Sequence, residues 1–161
     1  MYSTKATKII KAIGVTHPNK DGIIGYVMFT EDTSKNTVKV ETEFHNVKPG
    51  KHGFHIHDKG NLLEGCKSLC DHFNPSNEIH GGRNSLHRHV GDLGNLIANK
   101  NGIIKSKFYD DQIKLRGKNN IIGRSFVLHQ DVDDLGKGGN KESLITGNSG
   151  SRIACGVIGY A

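Results

Sequence analysis

The stretch Asp21-Gly22-Ile23-Ile24-Gly25-Tyr26-Val27-Met28-Phe29-Thr30-Glu31 is followed, after a polar turn, by Thr37-Val38-Lys39-Val40-Glu41-Thr42-Glu43-Phe44. Apolar and polar residues alternate along much of both runs, the period of a strand with one buried face. Working outward, six more segments have this character: 7–14, 53–57, 91–98, 103–109, 121–129 and 151–158. Gly, Asn, Asp and Pro punctuate them, and Asp21-Gly22 and Asn101-Gly102 are hairpin signals because these residues tolerate positive φ. Helical periodicity appears over no useful length. The pattern predicts an all-β protein, a sandwich or barrel of eight strands, forming one domain over residues 1–161.

Composition excludes other classes. The 21 glycines have no fixed period, which argues against collagen and low-complexity disorder. No run of about 18 apolar residues exists, so no membrane span is expected. Residues 1–11 lack the apolar core of a leader, so the expected compartment is the cytoplasm. The formal charge of +6 comes from scattered lysines and arginines, and only 6% of residues are aromatic. A nucleic-acid platform needs clustered cations and stacking rings, so no nucleic-acid partner is expected.

Two connections, 58–90 and 130–150, are too long for hairpins, and loops of such length are usually functional. Eight of the ten histidines fall between His45 and His89. His55 and His57 stand at i and i+2 of a predicted strand and so share a face. His72, His80, His89 and Asp92 follow along the first long loop and the strand after it, and His129 closes a later strand. His17, His45, His52 and His87 read as surface or hydrogen-bonded residues. Six histidines and a carboxylate in this pattern point to metal: all-nitrogen sets suit copper, and histidine with one carboxylate suits zinc.

Several segments carry a resemblance. Gly53-Phe54-His55-Ile56-His57, His72-Phe73-Asn74-Pro75, His80-Gly81-Gly82 and Arg88-His89-Val90-Gly91-Asp92-Leu93-Gly94-Asn95 resemble copper/zinc superoxide dismutases. So do Ile121-Ile122-Gly123-Arg124, Asp133-Asp134-Leu135-Gly136-Lys137-Gly138-Gly139-Asn140, Thr146-Gly147-Asn148-Ser149-Gly150-Ser151-Arg152 and Ala154-Cys155-Gly156-Val157-Ile158-Gly159. The resemblance implies an antiparallel Greek-key β-sandwich or barrel with two long functional loops. It implies an enzyme converting superoxide anion to dioxygen and hydrogen peroxide by alternating Cu(II) and Cu(I), with zinc in a structural role. Copper would be held by His55, His57, His72 and His129, and zinc by His72, His80, His89 and Asp92. His72 would bridge the two metals and pass a proton. Asp133 would hold the outer nitrogens of His55 and His80, Arg152 would dock the anion, and Cys66 would pair with Cys155. A homodimer is implied as well.

Departures from that pattern are local. Cys70 is a third cysteine, open to reading as a buried spare thiol, a competing disulfide partner or a stray copper ligand. Lys141, Glu142 and Ile145 stand where relatives often have two acids and a lysine, so anion attraction is expected from the whole +6 surface as well as the loop. Lys59 and Tyr160 stand where apolar dimer contacts are common. The same fold without turnover, as a copper- and zinc-binding or metal-delivery protein, is the alternative; such a protein should lack some copper ligands, and here none is missing.

Overall fold

The computed structural model describes residues 7–161. The leader reading of residues 1–11 and the start of the predicted domain therefore lie partly outside the described residues. All eight predicted strands form: β1 (Ile9–Val15), β2 (Ile24–Asp32), β3 (Val38–His45), β4 (Gly50–His57), β5 (Asp92–Ala98), β6 (Ile104–Asp110), β7 (Ser125–His129) and β8 (Arg152–Tyr160). One short helix, α1 (Ser143–Thr146), and a 3-10 turn at Gly65–Leu69 lie in the two long connections. Neither has enough residues to show a helical period.

The strands pair antiparallel in the order β5-β4-β7-β8-β1-β2-β3-β6. The end strands β5 and β6 lie side by side, joined by a turn in which Asn99 N–H donates to Ile103 O and Gly102 N–H to Asn99 O, both 2.9 Å. Gly102 has φ +74°, and a Cβ there would meet Val47 O at 2.8 Å, so this turn requires glycine. The result is a nearly closed barrel in which β4 neighbours β5 and β7, never β3, as a Greek key demands.

Inward alternation fills the barrel. Phe29, Phe44, Phe54 and Phe126 are fully buried, and the Phe44 and Phe126 rings lie 5.8 Å apart. Truncating such a ring to alanine typically costs 3–5 kcal/mol. The segment 121–124, predicted as strand, is instead a turn. The Asn120 side chain accepts from Ile122 N–H, Gly123 has φ +79°, and pairing begins only at Ser125.

Strand register delivers the histidines. His55 lies opposite Asp92, His129 opposite Arg152, and a lone antiparallel bridge joins His57 to His72. A bulge on each side, at Gly53/His55 and Leu128/His129, turns these strand ends toward one another.

Candidate metal centre

His55, His57, His72 and His129 are all buried, and one ring nitrogen from each falls within 4.8 Å of the others. Backbone carbonyls fix two of these rings. His57 Nδ1–H donates to Cys70 O at 2.7 Å, and His129 Nδ1–H donates to Gly150 O at 3.1 Å. Both therefore carry lone pairs on Nε2, and those two atoms face each other at 3.4 Å. Two facing lone pairs repel unless a cation lies between them. The 340 Å³ cavity above the rings opens past Arg152, Asp71 and Glu142.

A second group gathers on one carboxylate oxygen. Asp92 Oδ1 lies 2.9 Å from His72 Nδ1, 3.0 Å from His80 Nδ1 and 3.2 Å from His89 Nδ1. Asp92 Oδ2 accepts from Gly81 N–H and His89 N–H, which aims the carboxylate. His55, His72, His80 and Asp92 bring their ligand atoms within 4.8 Å of one another, and His89 Nδ1 joins them at 3.2 Å from Asp92 Oδ1 and 3.3 Å from His72 Nδ1. The outer nitrogens of His55 and His80 both go to Asp133: His55 Nε2–H donates to Oδ2 and His80 Nε2–H to Oδ1, each 2.7 Å. Of their inner nitrogens, His55 Nδ1 is buried without a hydrogen-bond partner, and His80 Nδ1 faces only the Asp92 carboxylate. A ring nitrogen in each group, on a ring oriented from behind by Asp133, fits a pair of metal ions.

Burial pushes His55 and His57 well below the ordinary histidine range and lowers His129 to about 3 and His72 as well. Burial also opposes charge on His80, but Asp133 and Asp92 outweigh it and raise it to about 9. Asp92 is held far below the usual carboxylate range, because three histidine contacts overcome its burial. The depressed histidines set an acid limit. Below about pH 6.5 the unfolded chain takes up protons that the folded rings refuse, so stability falls as pH drops, for His129 down to about pH 3. His80 adds nothing in that window, being protonated in both states. Metal-free protein should therefore lose up to about 1.4 kcal/mol per histidine per pH unit below pH 6.5. Urea midpoints between pH 7.5 and 5 check this; a flat profile contradicts it.

Compared with known proteins, residues 23–158 match the family model for copper/zinc superoxide dismutase. The chain belongs to that family. It is 55% identical over 160 residues to "Superoxide dismutase [Cu-Zn]" of Paramecium bursaria Chlorella virus 1, covering 99% of this chain and 83% of the relative. It is 48% identical to "Superoxide dismutase [Cu-Zn] A" of Xenopus laevis, covering 94% and 99%. Among solved structures, that of the clock protein EA4 superposes with a TM-score of 0.89 at 44% identity, over 94% of each chain. This superoxide dismutase converts superoxide to dioxygen and hydrogen peroxide, with copper and zinc as its cofactors.

Of the other expected residues, Arg152 lines the cavity. Arg152 is half-buried, its guanidinium donating to Cys66 O at 2.8 Å and Cys70 O at 2.7 Å. Cys66 and Cys155 are joined, across 89 residues of chain. Cys70 is exposed, lies outside both ligand groups and is unbonded, so the buried-thiol reading fails: its position, at the exit of the 3-10 turn, faces out. Its backbone, φ +60° and ψ −157°, occupies a region essentially reserved for glycine, at a cost of about 1–3 kcal/mol. Cys70→Gly should stabilise the enzyme by about 1 kcal/mol after glycine's own entropy is counted, read as a higher melting temperature. An unchanged or lower one would disprove the strain.

Sequence reading missed the residues that hold Asp133. Asn95 clasps its backbone in both directions, at 2.9 and 2.8 Å, while Asp134 takes Ser143 Oγ–H and Asn148 Nδ2–H and so pins the second long loop. Gly147 lies so close that any Cβ would strike the Asp133 carboxylate and the His80 ring. Asp133→Asn removes one of the two acceptors. It should cost 10–100-fold in zinc affinity and activity, the usual scale for an outer partner of a metal ligand. Competitive chelation measures it, and unchanged zinc affinity would demote Asp133 to a turn former.

Proposed function

We propose that copper binds at His55, His57, His72 and His129 and zinc at His72, His80, His89 and Asp92, with His72 common to both. The observation carrying this reading is that Asp92 occupies His72 Nδ1, leaving His72 Nε2 for the other histidine group. Copper supplies a one-electron couple there, and zinc, which has no redox chemistry, orders the loop. His72 Nε2 is the atom that holds and returns a proton during turnover. Arg152, charged at all relevant pH, docks superoxide at the cavity mouth, kept in place by the Cys66 and Cys70 carbonyls. Asp133 keeps His55 and His80 in the tautomer that presents Nδ1 inward. The test is metal analysis with electron paramagnetic resonance and a superoxide-scavenging assay before and after chelation. One copper and one zinc per chain, with a bridged nitrogen signature, are expected; a zinc-only protein that still scavenges would overturn the assignment.

The proposal extends to a single domain over residues 1–161 and a homodimer in the cytoplasm. Ile122, Gly123 and Val157 offer the apolar face, whereas Ile158, expected there too, points into the barrel core and is buried. Lys59 on that face pairs with Asp58 at 2.9 Å, and Tyr160 OH donates to Leu115 O, so neither substitution leaves a stranded polar group. An exposed free thiol at Cys70 favours a reducing compartment, whereas a 49% identical Drosophila melanogaster relative is named extracellular. Sedimentation, which should give about twice 17.6 kDa, and cell fractionation decide the two points. Among the described residues no helix is long and apolar enough to cross a membrane.

A further inference from the structure

Arg152 lines two cavities. In the 340 Å³ cavity over the histidines, the other charged wall residues besides the rings are Asp71 and Glu142. The neighbouring groove, about 890 Å³, shares Gly150 and Arg152 with it. Its charged walls are Lys20, Lys48, Lys67 and Arg152 against Asp21 alone. These cations arrive from four separate segments: the β1–β2 turn, the β3–β4 connection, the 3-10 turn and β8. Among the described residues none of the four has a carboxylate within 4.0 Å, although paired lysines and arginines occur elsewhere on the surface. Like charges gathered around a concavity raise its potential, which a bound anion relieves. The volume is in the range of small-molecule sites and far exceeds what a diatomic anion needs.

We propose that this groove is a second anion site, which takes compact polyanions bearing sulfate, sulfonate or phosphate groups. One group sits on Arg152 and the others reach Lys48, Lys67 and Lys20. Because Arg152 also faces the substrate cavity, an occupied groove withdraws it from superoxide, and the ligand acts as a competitive inhibitor. This second step rests on the docking role proposed for Arg152; the groove itself does not.

The probe is a naphthalene trisulfonate, a weak chelator, set against methanesulfonate at equal ionic strength on the metal-loaded enzyme, with metal content measured afterwards. Three exposed charge contacts at a few-fold each predict inhibition at a concentration about ten-fold or more below that of the monoanion. The triple variant Lys20→Gln, Lys48→Gln, Lys67→Gln should lose that advantage, and calorimetric binding of the trisulfonate should weaken equally. Equal potency of the two sulfonates, or trisulfonate binding undiminished in the triple variant, would overturn the groove site. Binding that depends on the lysines but leaves scavenging untouched would instead overturn the docking role of Arg152.

Discussion

His57→Ala and His129→Ala each bring superoxide scavenging down to the level of the chelated enzyme, a loss above the 10–100-fold seen when only an outer partner of a ligand is removed. The reason is geometric. Each ring is locked by a hydrogen bond from Nδ1, to Cys70 O or Gly150 O, so its Nε2 has one place to point. Deleting either ring takes away one of four nitrogens and opens a gap in a wall already only 4–6% exposed at His72 and His129. Neighbouring side chains offer no replacement. The Asp92 group is untouched, so both variants should keep zinc while losing copper, which separates a lost redox site from a lost fold. His87→Ala is the control: that ring is exposed, pairs with Glu78 and should leave activity unchanged. Scavenging that survives His57→Ala would refute the copper assignment.

Breaking the Cys66–Cys155 link has the largest expected effect on stability. The bond closes a loop spanning 89 positions, and chain entropy alone assigns about 4.5 kcal/mol to such a closure. At 2–4 °C per kcal/mol for a chain of this size, Cys155→Ser should lower the melting temperature by about 9–18 °C. Cys155 is fully buried against Leu69 and Val127, so the tie anchors the 3-10 turn to β7 and β8. Both carbonyls that hold Arg152 belong to that turn or its exit, so the superoxide rate should fall even where the variant remains folded. A variant with reduced melting temperature and an unchanged rate would show that Arg152 is held without the bond.

Much of this architecture was legible in the sequence because a strand's two-residue period is visible at short length. The same period showed that His55 and His57 share a face. What escaped has physical reasons. At 121–124 the apolar residues suggested strand, but a positive φ at Gly123 and an Asn120 side chain competing for backbone N–H groups made a turn. The four-residue α1 is too short for a period. Asn95, Asp134, Ser143 and Asn148 look like ordinary loop residues until their partners, up to 38 positions away, are in place. The histidine groups, by contrast, are unusual enough in composition to announce themselves, although which ring leans toward which carboxylate is fixed only by the fold.

The turn that joins β5 to β6 closes the barrel's seam, and this has a bearing on how the molecule behaves when crowded. A sheet with free borders presents a row of unsatisfied amides on which other molecules can template themselves into fibres. Here the two border strands are not hydrogen-bonded to each other, but the turn holds them side by side and crowds the approach to both edges, so such growth is hindered while they stay together. Anything that loosens residues 99–103 should speed fibre formation without touching the chemistry at the opposite end of the chain's histidine rings.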